Sequence, residues 1–143
     1  MAVMTTRLLI AAPDTNSLDL YRSLLQSALE LLPLDIAADF LSTRADLTAR
    51  VAARDADVLL LDWLLADAET PAYLGELVKL DPRLRTIVIA PLHLRQYRQC
   101  LWEAGACVGL PKEYLDQEWL LSMLCLINRA MEREARLKQE LQR

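Results

Sequence analysis

The stretch Asp57-Val58-Leu59-Leu60-Leu61-Asp62 decides how this 143-residue chain folds. Four consecutive apolar residues stand between two aspartates, with none of the polar alternation of a strand that has one wet face. Such a run belongs to a central strand covered on both sides, as in a parallel sheet sandwiched by helices. The composition agrees: 54% hydrophobic residues with an ordinary 25% charged fraction suit a core buried from two directions. The length suits one domain able to bury a core without disulfide or metal staples.

On either side of this run, short apolar segments alternate with helical ones. Arg7 to Ala12 reads as a first strand. The turn Pro13-Asp14-Thr15-Asn16-Ser17 follows, in which Asp14 or Asn16 can cap a helix. In that helix Leu18, Tyr21, Leu25, Leu29 and Leu32 recur at steps of three or four, and Pro33 closes it. Leu34 to Leu41 alternates lightly as a second strand. Ser42 or Thr43 then caps a helix reaching Ala53, with Leu47 and Val51 inward. After Asp62, a third helix begins near Pro71 and ends at Asp81-Pro82. Thr86 to Ala90 is a fourth strand, Leu92 to Ala104 a fourth helix capped by Gly105, and Cys107 to Leu110 a fifth strand. A last helix starts near Leu115. Short loops between alternating elements imply right-handed βαβ units, whose reactive crevice lies at the carboxyl ends of the strands.

Two charged residues fall at that edge. Asp62 ends the third strand and Lys112 follows the fifth. A carboxylate at a strand tip can act as a phosphoryl acceptor, and a lysine reaching across can hold phosphoryl oxygens or simply pair with the aspartate. His93, the only histidine, lies just past the fourth strand without metal-ligating partners and reads as a surface or capping residue. Trp63 is expected to cover the crevice, and Trp102 and Trp119 to serve packing or an interface. The three cysteines, Cys100, Cys107 and Cys125, match no metal spacing and are expected to be buried free thiols of a reducing compartment.

This pattern resembles the receiver domains of two-component response regulators over roughly residues 7–128. The resemblance is carried by the run ending at Asp62, by Asp81-Pro82-Arg83-Leu84-Arg85, and by Gly105-Ala106-Cys107-Val108-Gly109-Leu110-Pro111-Lys112. It implies a flavodoxin-like, three-layer doubly wound α/β sandwich with a five-stranded parallel sheet in the order 2-1-3-4-5. It also implies Asp62 as the phosphoacceptor position, Lys112 as its phosphate-sensing or ion-pair partner, and signalling rather than enzymatic activity.

The sequence departs from the family's pattern around the site. The acidic pair that binds Mg²⁺ in the family aligns with Ala12 and Pro13, leaving Asp14 and Asp62 as the candidate metal ligands. Phosphoryl transfer builds negative charge that a divalent ion in an octahedral oxygen cage neutralises, and two carboxylates are a poor cage. Ala90 stands where the family's Ser or Thr does, Gly109 where its aromatic switch residue does, and Glu113 where its proline does. Ala66 and Thr70 replace the Pro and Gly of the loop after the aspartate. Such pseudo-receivers serve as docking or dimerisation surfaces. The expectation is therefore a cofactor-free domain acting by protein contact; a conventional Mg²⁺-dependent receiver phosphorylated on Asp62 by a histidine kinase is the alternative.

The last helix carries the expected interface. Trp119, Leu120, Met123, Leu124, Ile127 and Met131 form an apolar face that Leu137 and Leu141 extend. Residues 1–128 are expected to form the domain, and 129–143 a helical extension that pairs two protomers or leads to an output domain. A net charge of −4, and a tail in which Arg129, Arg133, Arg136, Lys138 and Arg143 alternate with glutamates, argue against nucleic-acid binding. Met1 to Arg7 lacks a signal-peptide core and no run is long enough to span a bilayer, so a cytoplasmic protein is expected.

Overall fold

The computed structural model describes residues 5–142, apart from the side chain of Val108. Met1 to Met4, at the head of the N-terminal segment, and Arg143, the last of the basic tail, lie outside them. Five parallel strands stand in the order β2-β1-β3-β4-β5: β1 (Thr6–Ala11), β2 (Ile36–Leu41), β3 (Val58–Asp62), β4 (Arg85–Ala90) and β5 (Val108–Pro111). The helices between them are α1 (Thr15–Leu31), α2 (Arg44–Ala52), α3 (Thr70–Leu80), α4 (Arg98–Ala104) and α5 (Gln117–Leu141). The expected three-layer sandwich and strand order are what the chain adopts.

Every residue of β3 is buried. Its period-two alternation divides the core. Leu59 and Leu61 join Leu47, Val51, Leu74, Leu77 and Leu101 under α2, α3 and α4. Val58 and Leu60 join Tyr21, Leu25, Leu120, Leu124 and Ile127 under α1 and α5. The same alternation sends Asp62 to the α1/α5 side and Trp63 to the other. Trp63 is buried in the α3 cluster, 5.2 Å from the Tyr97 ring, and its indole N–H donates to Asp67 Oδ1 at 3.0 Å. It does not cover the crevice, contrary to expectation, because it is one residue out of phase with Asp62.

Local signals place the helix starts. The Asp14 carboxylate accepts the Ser17 N–H at 2.9 Å, Thr43 Oγ1 the Asp46 N–H at 3.1 Å, and Asp116 Oδ1 the Trp119 N–H at 2.7 Å. α5 thus starts at Gln117, two residues beyond the expected point. The fourth helix is shorter than its spacing suggests. Leu92–Tyr97 forms 3-10 turns broken at Leu94 (φ −100°, ψ 18°), and regular α-helix begins only at Arg98. Leu101 is the one fully buried residue of α4, so little apolar burial favours extending it backward. The cysteines correct a second expectation: Cys100 and Cys107 are exposed and Cys125 half-buried, all free. Cys100 sits beside Leu101 on the outward side of the short α4, and Cys107 precedes the edge strand β5. No helix among the described residues is long and apolar enough to cross a membrane.

Candidate functional site: the crevice around Asp62

Strand register assembles the crevice. Asp62 pairs with Ile89 of β4, Ala11 with Leu61, and Ala90 with Pro111. Ala12 and Lys112 therefore stand just past the ends of β1 and β5, on either flank of Asp62. The carboxylate is 1% exposed. Burying an ion this deeply requires partners for both oxygens, and the chain supplies them. Oδ1 accepts the Leu64 N–H at 2.9 Å. Oδ2 accepts the Tyr21 hydroxyl and the Lys112 ammonium, the latter at 3.1 Å. Lys112 Nζ also donates to Ser17 Oγ at 2.8 Å and lies 5.7 Å from the centre of the Tyr21 ring.

Sequence reasoning identified Asp62 and Lys112, and the structure brings them together. It missed Ser17 and Tyr21. These are four residues apart on α1 and therefore share a face, one turn above the other. Both are buried at the end of the helix nearest the strand tips. The available signal was two hydroxyls at helical spacing on a face otherwise built of leucine and alanine. Burial, then the hydrogen bond to Asp62, pushes the Tyr21 phenol far above its ordinary range. It therefore stays protonated and can only donate to the carboxylate.

Asp14 has a different task. The backbone N–H of Ser17, then the Ser17 hydroxyl, holds its carboxyl below the usual carboxylate range, as befits an N-cap. Ala12, fully buried beside Asp62, contributes only a methyl group to the α1/α5 core. Among the described residues no three His, Cys, Asp or Glu side chains gather as a metal site. The donor set does not fit a Mg²⁺ ion: Asp62 Oδ2 already carries an ammonium and a phenol, and Asp14 is turned to its own helix.

The rim of the crevice is tied down as well. Glu113 Oε2 accepts the Leu92 N–H at 2.7 Å, joining the loop after β5 to the loop after β4. In the loop after Asp62, the Thr70 hydroxyl donates to the Asp67 carbonyl at 2.6 Å and lies 3.2 Å from the Trp63 carbonyl. Gly109, with no side chain, leaves a small gap beside Leu101 and Arg98. His93 is exposed on the 3-10 segment and takes no part.

Among solved structures, a CheY-like response regulator receiver domain protein from Methanospirillum hungatei JF-1 superposes with a TM-score of 0.73 over 92% of this chain and 99% of its own, at 22% identity. The chain has the receiver fold. A response regulator from Thermotoga maritima (TM-score 0.72, 13% identity, 88% of this chain and 99% of that one) and a two-component response regulator from Clostridium difficile (0.71, 18%, 88% and 98%) share this receiver fold. No protein-family model matches the sequence, and no curated protein matches it. The receiver fold is thus retained at low identity, with Asp62 at the tip of β3, where the sequence resemblance puts the phosphoacceptor position.

Proposed function

We propose that this chain is a receiver-like signalling domain of the pseudo-receiver kind, acting through protein contact without stable phosphorylation of Asp62. One observation carries the reading: both oxygens of Asp62 are engaged inside the protein, by Tyr21, Leu64 and Lys112. A nucleophilic carboxylate needs a free oxygen facing the donor, and the transferred phosphoryl group needs a counter-cation. Here the lysine already neutralises the carboxylate, and the crevice is closed around the pair. The partner is a histidine kinase or an output domain, and the free thiols suit a cytoplasmic setting.

Incubation with Mg²⁺ and acetyl phosphate should leave the intact mass unchanged after desalting. A phosphoryl adduct that maps to Asp62 would overturn the proposal in favour of a conventional receiver using Asp14 and Asp62 for the metal.

The contact surface is the C-terminal end of the last helix, beyond Glu134. Its inner face is used up within the domain: Leu120, Leu124, Ile127 and Met131 are buried, and Glu134 pairs with Arg85. Leu137 and Leu141, four residues apart, are 51% and 85% exposed. An apolar pair left uncovered at the end of a long helix suits pairing with a second copy. Leu137→Glu/Leu141→Glu should reduce the mass seen by light scattering from dimer to monomer. A wild-type chain that scatters as a monomer at every concentration refutes the homodimer.

A further inference from the structure

A second candidate site lies at the opposite end of the sheet from Asp62, where the strands begin. There α5 overhangs the segments that enter β3 and β4, leaving a cleft of about 600 Å³. That volume is in the usual range for small-molecule sites. Met131 and Ala135 of α5 and Ala56 and Pro82 opposite give it apolar surface. A further hollow of about 510 Å³ continues along α5 past Pro82, Arg83 and Lys138 toward Leu137 and Leu141.

The charges around the cleft are unevenly satisfied. Glu134 is neutralised by Arg85, whereas Asp57 Oδ2 accepts only the Arg7 backbone N–H at 2.8 Å and Asp81 Oδ1 only the Arg83 backbone N–H at 3.1 Å, so both aspartates keep their charge. Three cations stand against these two. Arg54 donates through Nε to the Leu80 carbonyl at 2.9 Å, which leaves its two terminal nitrogens. Arg83 and Lys138 make no side-chain hydrogen bond or ion pair among the described residues. A chain with a net charge of −4 thus gathers three under-used cations on one cleft. With Arg85 and Glu134 paired, the cations exceed the carboxylates of the lining by one, and the forked donors left free on Arg54 and Arg83 favour an anion.

We propose that this cleft binds a phosphate-bearing small molecule of mononucleotide size. The two arginines offer forked donors that match phosphate oxygens, and Lys138 adds a point charge. Ala135 and Pro82, with the edge of the largely buried Met131, offer apolar surface to a flat ring. The cations share one cleft instead of forming a stripe, which suits a compact anion better than an extended acidic chain. The site is independent of the Asp62 crevice, so its failure would leave the proposed function standing.

The test is calorimetric titration of the full chain with AMP and, separately, with inorganic phosphate. AMP should bind saturably and about tenfold or more tightly than phosphate, since only AMP reaches the apolar surface. Arg83→Ala/Lys138→Ala should weaken AMP by about tenfold or more. Arg129→Ala/Arg136→Ala, which removes equal charge from exposed positions of the same helix, should not. If the double variant loses its helical circular dichroism signal, Lys138→Glu alone is read by the same criterion. The proposal is overturned by the absence of saturable heat at millimolar AMP, by binding that survives loss of Arg83 and Lys138, or by an acidic peptide that occupies the cleft when AMP does not.

Discussion

Lys112→Met should lower the unfolding free energy by about 2 kcal/mol, and Asp62→Asn added to it should restore part of that loss. Removing one member of a buried ion pair leaves the other charge without its counter-ion, which costs about 3–5 kcal/mol in a dry interior. Here the lysine side chain is 25% exposed while Asp62 is 1% exposed, so solvent tempers the loss. Tyr21 and Leu64 continue to hydrogen-bond the carboxylate and reduce it further. Neutralising Asp62 removes the orphaned charge, so the double variant should be more stable than Lys112→Met alone, with a coupling of about 1 kcal/mol or more. Urea denaturation followed by the fluorescence of buried Trp63 measures the four proteins of the cycle: wild type, Lys112→Met, Asp62→Asn and the double variant. A Lys112→Met midpoint equal to wild type would mean that the pair contributes nothing, and the picture of a crevice closed by its own lysine would fall with it.

Gly105→Ala and Gly75→Ala should move stability in opposite directions. Gly105 ends α4 in a left-handed conformation with φ 119°, and a Cβ there would meet Val78 Cγ2 at 2.5 Å. The backbone strain of about 1–3 kcal/mol and the overpacking against a stiff β-branched side chain add, for a loss of about 3 kcal/mol. Gly75 lies inside α3, and a methyl group added there would have nothing within 4 Å. Alanine at this position should gain about 0.5–1 kcal/mol, because glycine is a poor helix residue and free in the unfolded chain. Thermal unfolding by circular dichroism separates the two. A neutral Gly105→Ala would show that the α4–β5 connection can relax.

Much of this fold is legible in the chain. The unbroken apolar run before Asp62 predicts a central strand because only burial on both faces tolerates four such residues in succession. Asp14 and Thr43 announce the helices after them, since a short oxygen-bearing side chain satisfies free N–H groups through contacts within one turn. Gly105 marks the end of α4 for an equally local reason. The fourth helix was less readable: the leucines of Leu92 to Ala104 suggest one continuous helix, but burial reaches only Leu101, and the segment before Arg98 settles as 3-10 turns. The cysteines misled because their apolar neighbours do not reveal which side of α4 faces out.

The strands, their alternation with helices, the capping residues, and the presence of Asp62 and Lys112 at the strand tips can all be read along the chain. They depend on contacts between near neighbours, or on periodicities that can be counted residue by residue. The completion of the crevice by Tyr21 and Ser17, 41 and 95 residues from their partners Asp62 and Lys112, came from the folded arrangement alone. So did the turning of Trp63 away from that crevice, and the overhang of α5 that gathers Arg54, Arg83 and Lys138 around one cleft. A hydrogen bond or a shared field is set by distance in space, and sheet register and helix packing bring distant residues together only once the core has formed.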